Sequence, residues 1–259
     1  SIRGVNAKQN NGEEGAYLAP SLQFFGGMSY DKRCFDSKGL YFTSPEELEV
    51  IPYDCKILDY NVYNFVDADS EAYEEAVKNA NGSWKANTDA TWNSNHYLSV
   101  GPDGEYGTFD DGMPSSLEEL IAVCDYMNKE KNVFPFILSG EKKNNQFASE
   151  APMINSLLGE EHERTMRTFE GEDFPVVVGY EENSELWGMA DVQKPIVKEV
   201  DVTEASGYYT TWSEARYYTT AFWKLAVEQG WYTETVRNST THIDAERDFI
   251  FSGYKSSKQ

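Results

Sequence analysis

The chain of 259 residues carries 44 acidic and 22 basic side chains, a formal charge of −22 at neutral pH. A field of that sign repels phosphate backbones and anionic head groups, which excludes nucleic acid and membrane surfaces as expected partners. Hydrophobic residues at 40% and aromatics at 14% supply a globular core and exclude wholesale disorder.

The length permits one large domain or two small ones, and one domain with an appendage is the first expectation. Cys34, Cys55 and Cys124 show no CxxC or Cys/His ligand spacing, so they read as buried or incidental thiols, not as a disulfide framework or a zinc site. No apolar run approaches the ~18 residues of a membrane span, and Ser1 to Asn6 lacks the basic-then-apolar pattern of a secretory leader.

In chain order, Asn6 to Gly15 reads as a polar loop, and Tyr17 to Tyr30 as short extended segments broken by Pro20, Gly26 and Gly27. Ser44-Pro45-Glu46-Glu47 places a capping serine, a first-turn proline and a capping-box glutamate in order, which predicts a brief helix through Leu48. From Asp69, Ala72, Tyr73, Ala76 and Val77 recur at helical spacing until Asn81-Gly82. Trp84 to Asn95 has no period, and residues 60–100 as a whole read as an insertion or surface excursion.

Pro114-Ser115-Ser116-Leu117-Glu118-Glu119 opens a helix with Leu117, Leu120, Ile121, Cys124 and Met127 on its inner face. The apolar run Val133 to Leu138 then predicts a buried strand. Met153 to Phe169 and Ser213 to Gln229 predict two further helices, the second with Ala215, Tyr218, Phe222, Leu225 and Ala226 inward and Gly230 as its stop; Thr241 to Phe251 predicts a last one. Several helices against few strong strands give an α/β fold with a helix-rich lobe.

The segment Gly101 to Gly112 sets four carboxylates, Asp103, Glu105, Asp110 and Asp111, among four glycines. Hard oxygens on a bendable backbone suit calcium, although the spacing is not that of an EF-hand, and a solvated acidic turn fits the same composition. His96, His162 and His242 lie far apart and each has a local reading, so no catalytic histidine is expected. GxSxG, HExxH, GxxxxGK and GxGxxG are all missing, and the chain is expected not to be an enzyme.

Flat indole faces pack on sugar C–H surfaces. Of the six tryptophans, Trp223 and Trp231 fall at packing positions of a helix, whereas Trp92, Trp187 and Trp212 sit beside Asn, Gly or Thr in non-periodic stretches and are the better ligand candidates.

Gly26-Gly27-Met28-Ser29-Tyr30-Asp31-Lys32, then Cys34-Phe35 and Gly39-Leu40, resembles a stretch of the family 1 extracellular solute-binding proteins of ABC importers. Asp110-Asp111-Gly112-Met113-Pro114, Ser116 to Leu120 and Phe134-Pro135-Phe136 follow in that family's order, as do Ala215 to Trp231 and His242 to Gly253. The resemblance implies a type II periplasmic-binding-protein-like α/β fold, helix-rich and mainly the second lobe. Residues 1–259 would be the central portion of such a protein, and residues 1–30 would be hinge-proximal.

It implies further a cell-surface, lipid-anchored, extracellular protein, expected to be monomeric, that delivers a carbohydrate, foremost an oligosaccharide, to ABC permease subunits. Its implied ligand-binding residues are Gln23, Phe24, Phe25, Tyr30 and Ser139, joined by the candidates Trp187 and Trp212. Relatives with calcium in an acidic loop before this helix point to structural calcium at Asp103, Glu105, Asp110 and Asp111. The alternatives are a secreted carbohydrate-active enzyme or accessory domain, which needs two carboxylates across a cleft, and a surface interaction domain without a ligand.

Overall fold

The computed structural model describes residues 30–43, 50–59, 62–71, 73, 98–106, 108, 110–139 and 151–236. Gln23, Phe24 and Phe25, the helices expected at 44–48 and 241–251, nearly all of the one after Asp69, and Trp84 to Asn95 lie outside these residues. The described elements are α1 (Lys32–Lys38), β1 (Val50–Asp54), β2 (Val62–Val66), α2 (Leu117–Lys129), β3 (Phe136–Ser139), α3 (Ala151–Thr168), β4 (Gly171–Tyr180), β5 (Pro195–Val202), a 3-10 segment (Glu204–Trp212), α4 (Glu214–Glu228) and β6 (Tyr232–Val236). They form three two-stranded sheets: β1 with β2 and β4 with β5 antiparallel, β3 with β6 parallel.

The chain divides into two compact units, residues 1–27 with 142–224, and residues 28–141 with 225–259. In the second, Tyr41 to Thr43 runs beside β2, with Val66 N donating to Tyr41 O and Thr43 N to Asn64 O, both at 3.0 Å. Its other edge is covered by Ser99 and Gly112, whose backbones bond to Phe42 at 3.0 and 2.9 Å. Phe65 of β2 lies flat on Tyr126 of α2, rings 4.0 Å apart and 9° from parallel. Full burial of a ring of this kind contributes about 1.5–3 kcal/mol.

Helix α2 starts where the sequence places it, because the Ser116 side chain accepts from Glu119 N at 3.1 Å. Glu119 returns a bond to Ser115 N at 2.6 Å, one residue off the expected reciprocal pair. Ile121, Cys124 and Met127 are buried as expected, and so is Asp125.

In the first unit, Ile154 and Leu158 of α3 pack with Phe174 and Val176 of β4, Val202 of β5 and Ala215 of α4. Helix α3 is not the single helix expected: Gly159 takes φ 73° and ψ 173°, which bends the element between two helical pieces. The β4–β5 hairpin was not expected from the sequence, and its register slips between Gly171 and Phe174 and between Val177 and Gly179. All three cysteines are buried thiols outside any disulfide. Among the described residues, no helix is long and apolar enough to cross a membrane.

Candidate functional site

The β4–β5 connection, residues 181–194, is folded by its own hydrogen bonds. Glu181 N donates to Lys194 O at 3.0 Å, Leu186 N to Val192 O at 2.7 Å, and Lys194 N to the Ser184 hydroxyl at 2.9 Å. It is tied to α4 by the Tyr217 hydroxyl, which donates to Gln193 O at 2.6 Å, and by Lys224 and Asp191 at 3.1 Å. The tie holds Trp187 beside Tyr218, ring centroids 5.9 Å apart, and Tyr180 beside Tyr217 at 5.6 Å. Tyr217 and Tyr218 meet at 6.1 Å, which joins four rings into one surface.

Tyr180 is 46% exposed, and the other three rings are half-buried. Burial, and then the neighbouring Tyr180, hold the Tyr217 phenol above its usual range, so this ring stays neutral at neutral pH. Glu181, Glu182 and Glu185 stand exposed along the same connection, where carboxylates can accept from hydroxyl groups. Apolar ring faces bordered by acceptors suit a ligand with C–H faces and O–H edges.

Trp212, also 58% exposed, sits at the end of the 3-10 segment, which carries a second aromatic pair, Tyr208 and Tyr209, at 4.5 Å. At the start of that segment, Glu161, Arg164, Glu170, Glu172, Asp201 and Thr203 rim an open concavity of about 550 Å³.

In the other unit, the acidic loop is closed on itself. Gly101 takes φ +66°, and a Cβ there would lie 2.1 Å from Asp110 O. Asp110 accepts from Asp103 N at 3.1 Å and from the Thr108 hydroxyl at 2.7 Å, and the same hydroxyl lies 3.3 Å from Asp111. Asp110 and Asp111 are buried, whereas Asp103 and Glu105 are exposed. The Glu105 N–H, 2.9 Å from Asp103, holds that carboxyl below its usual range, assisted by Thr108. Two of the four expected carboxylates therefore lie buried in the loop, and two face solvent. Among the described residues, no three His, Cys, Asp or Glu side chains gather in a way that could hold a metal ion.

Tyr30, read as a ligand residue, stands edge-on to Phe35 at 5.1 Å. Its phenol is raised by burial and then by Asp36 and Asp110. Ser139 ends β3, paired with Val236 of β6. The structure thus brings Trp187 together with Tyr180, Tyr217 and Tyr218, three rings that sequence reasoning did not select. The adjacent Tyr217-Tyr218 pair on a helix is the available signal, but helical spacing puts Tyr218 on the core face.

Compared with protein-family descriptions, curated proteins and solved structures, the chain matches none of them.

Proposed function

We propose that this chain binds a carbohydrate outside the cell and hands it on to an ABC importer, without chemical turnover. The observation that carries the binding is the aromatic surface of Tyr180, Trp187, Tyr217 and Tyr218, partly exposed and fixed by bonds of the β4–β5 connection. Rings already held in place lose little conformational freedom on binding, which favours the low-entropy stacking that sugars need. The acidic exterior supports a neutral ligand over a uronate or a sulfated sugar, since like charge raises the energy of approach. Delivery to a permease and the extracellular setting are carried by the sequence resemblance at Gly26 to Leu40 and Asp110 to Phe136.

In the same reading the acidic loop is a calcium-dependent brace. Asp110 and Asp111 would supply the inner carboxylates, because the one proton of the Thr108 hydroxyl cannot serve both.

A thermal-shift screen of the chain against neutral mono- and oligosaccharides, with and without EDTA, tests both parts. A raised Tm with at least one neutral sugar and no new product is the expected result, and EDTA is expected to lower Tm in the absence of sugar. No shift with any sugar removes the carbohydrate reading; release of a shorter sugar replaces it with hydrolysis. An unchanged Tm in EDTA removes the calcium brace alone.

A further inference from the structure

Given the carbohydrate reading above, we infer that the aromatic surface is two stacking subsites turned across one another, Trp187 with Tyr218 and Tyr180 with Tyr217, for two successive pyranose rings of an oligosaccharide. Within each pair the rings are tilted by 40°. Between the pairs the relation is different, since Tyr217 and Tyr218 stand 77° apart. A single pyranose can lay a given face on one pair only, because the pairs meet through rings 77° apart. Two linked rings, rotated about their glycosidic bond, can lay one face on each.

The placement of Trp187 is a second, independent observation. Leu186-Trp187-Gly188-Met189 is a tight turn: Met189 N donates to Leu186 O at 3.0 Å, and Leu186 and Met189 form an antiparallel bridge. Both central residues have positive φ, +53° at Trp187 and +71° at Gly188. That is the pattern of a type I′ turn, whose first central position is taken preferentially by Asn, Asp or Gly. A tryptophan with left-handed backbone is strained there, and the strain persists only where its surroundings hold it. The turn does not need the indole as an anchor, because Leu186 and Met189 on either side are themselves buried, at 6% and 4% exposed. The indole itself meets the Tyr218 ring and is otherwise only partly buried.

The two outer rings come from different parts of the hairpin. Trp187 is set by the turn, while Tyr180 ends β4 and Tyr217 is fixed by its bond to Gln193 O. Losing one pair should therefore leave the other intact, and a ligand that spans both should fall back to the affinity of a single ring.

Isothermal titration of the whole chain with one-, two- and four-unit members of the glucose, maltose, cellulose, chitin and xylose series tests this. In the series that binds, the two-unit sugar is expected to bind roughly tenfold tighter than the one-unit sugar. Trp187→Asn and Tyr180→Ser are each expected to remove that gain, so that the two-unit sugar binds no more tightly than the one-unit sugar. Trp187→Asn restores the Asn-Gly pair the turn prefers, so its Tm is expected within about 2 °C of the wild type or above it. Tyr208→Ser, on the other aromatic pair, is the control that should leave all affinities unchanged. Equal affinity for one and two units, or an undiminished gain in both variants, overturns the two-subsite inference while carbohydrate binding stands. A Tm loss of more than about 5 °C in Trp187→Asn overturns the role given to the indole, and Tyr180→Ser still reports on the second pair. No binding by the wild type at any length fails the carbohydrate reading itself.

Discussion

Replacing Lys129 with methionine tests the most deeply buried charge described in the chain. Asp125, on the inner face of α2, is fully buried, and its Oδ2 accepts from the Tyr53 hydroxyl at 2.7 Å and from Lys129 Nζ at 3.0 Å. The Cys55 thiol approaches the same oxygen at 3.7 Å. Oδ1 lies 2.9 Å from Lys129 Nζ but outside hydrogen-bonding geometry, so its compensation is ionic alone. Removing one partner of a fully buried pair costs about 3–5 kcal/mol, because a bare charge is left in the core. Lys129 is itself 43% exposed, so water already screens its side of the pair, and the expected loss is reduced to about 2–3 kcal/mol. In urea denaturation this is a lower midpoint at unchanged slope, and in heating a Tm about 5–10 °C lower. Combining Lys129→Met with Asp125→Asn should return much of the loss, since the carboxylate that lacked a partner is gone. A loss below about 1 kcal/mol in Lys129→Met alone would refute the reasoning, and would mean that the Tyr53 hydroxyl and water suffice for Asp125.

Gly101→Ala should open the acidic loop, because the added methyl would sit 2.1 Å from Asp110 O on a backbone already at φ +66°. A stability loss above about 2 kcal/mol is expected, and hydrogen exchange at Gly112 N, bonded to Ser99 O, should rise; a silent variant would contradict the loop closure. The thiols give a pH prediction. Burial, followed by Asp125, pushes Cys55 up to about 11, and burial pushes Cys124 well above its usual range. Both are neutral at pH 8, where Cys55 is about one part in a thousand thiolate, so a thiol reagent should modify neither until the chain unfolds. The unfolded thiols lose protons from about pH 9 while the folded ones keep theirs, so stability should fall from pH 9 toward 11; native Cys55 reacting at pH 8 as fast as a free thiol would contradict its burial.

The sequence was informative where local chemistry decides the structure. The capping serine at Ser116 and the apolar period after it were enough to place α2, and the helix of Ser213 to Gln229 was placed within a residue at each end. The β4–β5 hairpin was hidden because Gly171, Asp173, Pro175 and Gly179 interrupt a strand pattern, and its two register slips break the alternation that marks a half-buried strand. Asp173 takes φ +52° at the first slip, a local departure that no periodicity foretells. The bend in α3 had a visible cause, Gly159, but a lone glycine in a helical pattern is more often tolerated than kinked.

The aromatic surface was legible only in part. Trp187 could be singled out from its Gly188 neighbour, but its partners come from the end of β4 and the side of α4, which only the tertiary fold brings together. Asp125 was unreadable for a similar reason: an acid in an otherwise apolar helix face is recognised as buried only when Tyr53, some seventy residues earlier in the chain, arrives over it.

The central claim is that the surface formed by Tyr180, Trp187, Tyr217 and Tyr218 binds a neutral carbohydrate. An equilibrium titration of the chain with cello-, malto-, chito- and xylo-oligosaccharides, read by tryptophan fluorescence, tests it most directly. Saturable binding of one series is predicted, with a fluorescence change that is lost in Trp187→Phe. Signals that stay flat across all four series, or a saturable change that survives intact without Trp187, would contradict it.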